Sequence, residues 1–289
     1  MKEGNARAAD GRTLMYLERG PAGGAPVFYL HGTPGSRLSR HPDADLYERL
    51  GVRVITYDRP GYGGSDPDLG RSVASAAKDV RTIAGALGIA RFGVIGISGG
   101  GPHALACAAL LPDLVARVAV LVSPAPIDDP DFDWLAGMSE LNVREFRAAM
   151  ESEEAFAAEV APFVEALRTD PGAFVDALAA ELPEPDQVVL ARPEVREALA
   201  ASSAEAVRAG TDGWLHDDRA FGAPWGFALG DVVIETRLWH GDLDVLSPRS
   251  HSEYVVRRLP NASLEVVPGA GHLLLGPWAT ALEWLAGPG

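Results

Sequence analysis

The residues best able to do covalent chemistry stand together at Gly96-Ile97-Ser98-Gly99-Gly100, a G-x-S-x-G pattern. The apolar run Phe92–Ile97 precedes the serine, and a helix-like stretch, Gly101–Leu111, follows it. A sharp strand-to-helix turn would expose the hydroxyl, and small neighbours would let the backbone pass closely. The helix behind it would aim N–H groups and a positive dipole end at an oxyanion forming beside the serine. Ser98 is therefore the candidate nucleophile. A serine hydroxyl needs a base to take its proton at neutral pH. The chain has seven histidines: His31, His41, His103, His216, His240, His251 and His272. Of these, His272 ends a glycine-rich loop, Pro268-Gly269-Ala270-Gly271-His272, just after the strand-like Leu264–Val267. A loop at a strand's carboxyl end can hold an imidazole over the switch region of a sheet. A carboxylate must then orient that imidazole. Asp242 and Asp244 both follow the strand-like Thr236–His240, and chemistry alone leaves both open.

These groups need a scaffold that brings strand ends together. Apolar runs at Val27–Leu30, Val52–Tyr57, Phe92–Ile97 and Val118–Val122 fit strands buried on both faces of a parallel sheet. Arg12–Glu18 supplies an earlier edge strand. Helical stretches lie between them, near Arg37–Leu50, Ser72–Leu87 and Gly99–Leu111. Alternation of this kind predicts an α/β fold with helices on both faces of the sheet. From about Pro126 to Gly230 no strand is evident. Ala/Glu-rich helices, such as Glu145–Leu167 and Glu194–Ala209, are punctuated there by Pro162, Pro171, Pro183, Pro185 and Pro193. Strands resume at Val232–His240 and Ser263–Val267, with helices near Ser250–Leu259 and Pro277–Leu285. The reading is a core at 1–125, a helical cap at 126–230, and the rest of the core at 231–289.

Composition excludes several function classes. The chain has 289 residues, 47% apolar and 22% charged, an ordinary globular balance. Its formal net charge of −15 argues against nucleic acid and anionic membrane surfaces as partners. No apolar run approaches the ~20 residues that span a bilayer. The polar stretch Met1–Gly11 has no signal-peptide character, so a cytoplasmic location is expected. Cys107 is the single cysteine, in an alanine-rich helix, and reads as a small core residue. No metal-ligand spacing is present, and neither metal nor cofactor is expected. The expected partner is a small-molecule substrate; oligomeric state is not readable.

The sequence resembles the α/β-hydrolase superfamily at four places. His31-Gly32-Thr33-Pro34-Gly35 is similar to the H-G-x-P segment, and Asp58-Arg59-Pro60-Gly61-Tyr62-Gly63-Gly64-Ser65 to the D-x-x-G-x-G-x-S segment. Gly96–Gly100 resembles the nucleophile elbow, and Gly241-x-x-Asp244 with Gly271-His272 the acid and base loops. The resemblance implies a mostly parallel eight-stranded sheet with an inserted helical cap. It implies a catalytic triad in the order Ser98, Asp244, His272, the G-x-x-D spacing selecting Asp244 over Asp242. It also implies an oxyanion hole from the N–H groups of Gly99 and Thr33. His31 would brace the oxyanion loop, and Asp58 and Arg59 would fix their own loop, although Arg59 could meet an anionic substrate. Asp128 and Asp129 occupy a position that some members use for the acid. Among the aromatics Phe132, Trp134, Trp214, Phe221, Trp225 and Phe227, the selected pocket residues are Trp134 and Trp225, with His103 beside them. A serine nucleophile implies acyl transfer, most simply carboxylic-ester hydrolysis. Alternatives are a proline iminopeptidase-like aminopeptidase, which needs an acidic pocket for a free amine, a C–C or lactone hydrolase, and a non-catalytic binding module. Perhydrolysis would be a side reaction of the same acyl-enzyme.

Overall fold

Eight strands form one sheet in the order β1-β2-β4-β3-β5-β6-β7-β8. In this computed structural model, residues 1–127, 129 and 131–287 are described. The strands are β1 (Lys2–Arg7), β2 (Thr13–Arg19), β3 (Ala25–Leu30), β4 (Val52–Tyr57), β5 (Phe92–Ile97), β6 (Val115–Leu121), β7 (Thr236–Gly241) and β8 (Ala262–Val267). Pairing from β4 to β8 is parallel, while β1–β2 and β2–β4 are antiparallel. The parallel strands β4, β5 and β6 are buried along nearly their whole length, as a sheet covered on both faces requires. On one face α2 (Ser75–Leu87), α3 (Gly100–Leu110) and α10 (Arg249–Val256) close the larger core. On the other, α1 (Leu46–Leu50) and α11 (Leu275–Ala286) pack on Val54, Ile95 and Trp239. Cys107 is fully buried within the larger core.

Strand order reverses around β3: the chain steps out to β4, then returns to β5 on the far side. Loops leaving β3 and β5 therefore part in opposite directions and open a crevice at their carboxyl ends, the switch point where α/β sheets bind ligands. Thr33 follows β3 and Ser98 follows β5, so both sit at that crevice.

Between β6 and β7 the described residues contain no strand. Six helices fill the interval: α4 (Glu140–Glu151), α5 (Glu153–Thr169), α6 (Pro171–Ala180), α7 (Glu184–Leu190), α8 (Pro193–Ala206) and α9 (Asp212–Phe221). They share an apolar cluster of their own around Phe156, Val160, Leu190 and Trp214.

Several elements differ from the sequence reading. β1 was not anticipated, because Lys2–Arg7 is polar; as an antiparallel edge strand it has most of its side chains in water. The helix expected over Arg37–Leu50 contracts to Leu46–Leu50. The preceding segment is instead a loop pinned to the insert, where Ser36 N–H donates to Ser202 Oγ at 3.1 Å. The helix expected over Glu145–Leu167 is two helices. Ser152 is extended between them and its side chain accepts from Ala155 N–H at 3.0 Å, capping the second. The strand expected from Val232 begins only at Thr236, after a 3₁₀ turn at Leu229–Asp231. No described helix is long and apolar enough to cross a membrane.

Candidate active site

Ser98 sits between β5 and α3 with φ 54°, a left-handed conformation that is rare for a residue with a Cβ. Its neighbours explain how the turn closes. A side chain at Gly96 would collide with the Gly100 carbonyl, and one at Gly100 with the Leu30 carbonyl. Only glycine lets β3, the turn and α3 approach this closely. Ser98 N–H donates to Leu121 O at 2.9 Å, tying the strained residue to β6. Strain held in place by surrounding structure is common where a side chain must be presented for chemistry.

His272 and Asp244 meet from two loops. Asp244 Oδ2 accepts from His272 Nδ1 at 2.8 Å. Its Oδ1 accepts from the N–H groups of Leu246 and Ser247 at 2.9 and 3.0 Å, which fixes the carboxylate in the turn after β7. Burial alone would raise the Asp244 carboxyl, but His272 and His240 beside it hold it well below the usual range. For His272 burial opposes charging, yet the Asp244 carboxylate outweighs it and raises the imidazole above its ordinary value. With Nδ1–H donated to Asp244, the neutral ring keeps its lone pair at Nε2. A third residue joins from β7: His240 Nε2 lies 3.2 Å from Asp244 Oδ2, and its Nδ1 is 2.7 Å from Ser252 Oγ. Asp242, the other candidate acid, is exposed and accepts from Gly269 N–H at 2.7 Å, shaping the loop that carries His272 from outside. Asp129 pairs with Arg258 on the surface at 2.7 Å, and Asp128 lies outside the described residues.

The segment after β3 closes the other side. A side chain on Gly99 would collide with Thr33 Oγ1, and a Cβ on Gly32 would stand 3.3 Å from Ser98 Cβ. Gly99 and Thr33, the two expected oxyanion donors, thus border the serine together. Behind them is a buried charge cluster centred on Asp217 of α9. Its carboxylate pairs with Arg59 and, at 2.6 Å, with Arg71. It also accepts from Tyr62 Oη and Thr33 Oγ1, both at 2.8 Å. Arg59 in turn donates to the carbonyls of His31 and Gly32. Burial would raise Asp217, but the two guanidiniums hold it well below the usual carboxylate range. His31 packs edge-on against Tyr62 at 5.4 Å, and burial, then Arg59, pushes its imidazole well below the ordinary value. It therefore braces the loop as a neutral ring. Asp58 fixes its own loop by accepting from Arg37 and Gly64 N–H at 2.6 and 2.9 Å.

The sequence profile of the alpha/beta hydrolase fold matches residues 25–276. The chain belongs to this family. Among relatives, it is 28% identical over 307 residues to a proline iminopeptidase of Xylella fastidiosa (strain 9a5c), covering 93% of this chain and 90% of that one. It is 38% identical over 125 residues to a non-heme chloroperoxidase of Streptomyces lividans, a match spanning 43% of this chain and 45% of that protein. The crystal structure of a hydrolase from Pseudomonas aeruginosa PA01 superposes with a TM-score of 0.69 at 21% identity, covering 99% and 97% of the two chains.

In this α/β-hydrolase, Ser98 and His272 open into one cavity of about 260 Å³ between the sheet and the helical insert. Apolar side chains dominate its wall, among them Phe146, Phe174, Leu178, Trp214 and Phe221. The three residues selected from sequence as pocket candidates are not part of that wall. Trp134 is in the core with its Nε1–H donated to Ala125 O at 2.6 Å, and Trp225 packs at 5.9 Å against Phe227. Both rings pack within the larger core cluster instead. His103 is 1% exposed, its Nδ1 3.3 Å from Val73 O and its Nε2 3.4 Å from Asp217 Oδ1. Burial lowers its proton affinity, and it belongs to the charge cluster. Arg59 is equally enclosed, so an anionic substrate has no access to it.

Because Asp217 is the carboxylate shared by two buried guanidiniums, Asp217→Asn should leave both undercompensated. Loss of one partner of a buried ion pair costs about 3–5 kcal/mol. A urea titration should show that loss as a lowered midpoint with an unchanged slope.

Proposed function

We propose that this hydrolase cleaves carboxylic esters through an acyl-enzyme on Ser98. The observation that carries the reading is the buried Asp244–His272 hydrogen bond at the rim of the apolar cavity that Ser98 also lines. In this reading Ser98 Oγ attacks the ester carbonyl and gives its proton to His272 Nε2. Carbonyl charge passes to an oxyanion facing the N–H groups of Gly99 and Thr33. His272 returns the proton to the departing alcohol, and Asp244 stabilises the imidazolium in between. Water, deprotonated by the same histidine, then frees the acid. The helical insert acts as the cap, and its apolar wall would take the acyl or alcohol chain of a small or medium substrate.

A second reading is an aminopeptidase, and one feature of the cavity favours it. Glu145 and Asp218 face the same space from α4 and α9. Asp218 is buried beside Glu145, and Glu145 also accepts from Trp214 Nε1 at 2.7 Å. Burial, compounded by mutual repulsion, pushes the Asp218 carboxyl well above its ordinary range. Two carboxyls in an apolar wall are a natural seat for a substrate ammonium.

A panel of p-nitrophenyl esters, lactones and aminoacyl p-nitroanilides separates these readings. Ester turnover indifferent to a free amine supports the first; anilide turnover lost on N-acetylation supports the second. In either case kcat/KM should fall as pH drops through the His272 titration, because only the neutral ring is a base. Since Asp244 raises that titration, the midpoint should lie above the ordinary value of 6.5. A flat profile across the neutral range would contradict this assignment of the base.

A further inference from the structure

Asp186 takes no part in the chemistry above, yet it is 1% exposed, on the first turn of α7 in the insert. Both of its carboxylate oxygens reach the base loop. Oδ2 accepts from His272 N–H and Oδ1 from Leu273 N–H, each at 2.8 Å. Gly271 makes room for this contact, since a side chain there would collide with the carboxylate. Backbone N–H groups bonded to an ionised carboxylate form short, strong hydrogen bonds.

We infer that Asp186 is a positioning residue for the base, reaching from the insert to clamp the main chain of His272. The inference rests on the reading of Ser98 and His272 as nucleophile and base. Asp244 holds the imidazole at one atom, Nδ1, and a single hydrogen bond leaves a ring free to pivot. A second constraint on the backbone of the same residue removes that freedom and fixes where Nε2 stands in the cavity. The loop carrying His272 is glycine-rich, so it supplies little stiffness itself. Two negative groups face His272, Asp244 at the ring and Asp186 at the backbone, and both favour its protonated form against burial.

Asp186→Asn is the test, because the amide keeps the size but offers one acceptor for two N–H groups. The rate of fluorophosphonate labelling at Ser98 is measured from pH 5 to 9 in the wild-type protein and the variant. At the alkaline plateau His272 is neutral in both, so the plateau reads positioning alone. It should drop by roughly 10–100-fold, the scale on which about 1 Å of misplacement acts. The midpoint should also move to lower pH, since one negative charge is gone. An unchanged plateau, or an unmoved midpoint, overturns the clamp. Gly271→Ala displaces the carboxylate sterically and should reproduce the lowered plateau if Asp186→Asn does not fold. Titration of the His272 ring by NMR reads the same midpoint shift without any labelling. A wild-type protein that resists labelling would therefore sink the serine reading while leaving the clamp open to judgement.

Discussion

Replacing Ser98 with alanine is expected to remove roughly a million-fold of kcat, the scale seen when a serine nucleophile is lost. The size follows from the division of labour at the site. In the proposed mechanism Asp244 and His272 serve to raise the reactivity of one hydroxyl, so without it their contribution disappears along with the nucleophile's. The cavity and the proposed oxyanion donors remain, and with them only weak residual catalysis. The fold should be untouched, because Ser98 makes its structural bond through N–H to Leu121. Its conformation supplies a sharper version of the test. At φ 54°, a residue with a Cβ carries about 1–2 kcal/mol of strain that glycine does not. Ser98→Gly should be equally inactive yet more stable by about 1 kcal/mol, read from its denaturation midpoint. Ester turnover retained in either variant would mean a different nucleophile.

Asp244→Asn should lower kcat by about ten-thousand-fold, and the hydrogen bonds in this chain say why. Oδ1 of Asp244 is committed to two backbone donors, Leu246 and Ser247. An asparagine would keep its oxygen there and turn its NH₂ toward His272 Nδ1. That nitrogen would have to accept, so the ring proton would move to Nε2, where the proposed mechanism needs a lone pair to take the Ser98 proton. His240 would lose its carboxylate neighbour in the same substitution. Asp242→Asn is the control. Its carboxylate accepts from Gly269 N–H on the surface, an asparagine oxygen can accept the same bond, and activity should stay close to wild type. A larger loss at position 242 than at 244 would reverse the choice of acid.

Much of the scaffold was legible because its signals are local. Buried parallel strands announce themselves as apolar runs, and the strand–turn–helix around Ser98 is contiguous in the chain. Asp244 was less legible: the sequence left Asp242 beside it, and the family's spacing, not periodicity, separated them. Contacts between distant segments left no trace at all. Asp217 meets Arg59 across 158 residues and Asp186 meets His272 across 86, and a lone aspartate in an acidic insert looks like any solvated one. The aromatics failed for a related reason. Tryptophan packs equally well in a core or a pocket wall, so composition could not distinguish Trp134 from Trp214, and only the latter lines the cavity. The edge strand β1 escaped because half-exposed strands carry polar residues.

The ties made by Asp217 also bear on how this enzyme could diversify or be redesigned. Insert and core are not modules to be exchanged freely. Grafting an insert without this aspartate onto this sheet would strip Arg59 and Arg71 of their carboxylate, and the host would have to alter both arginines as well. New substrate ranges are therefore more accessible by point changes at cavity-facing positions such as Phe146, Phe174 and Leu178, which leave Asp217 in place. A chimera carrying Asp217 in an otherwise foreign insert should accumulate as folded protein; its counterpart lacking that aspartate should not.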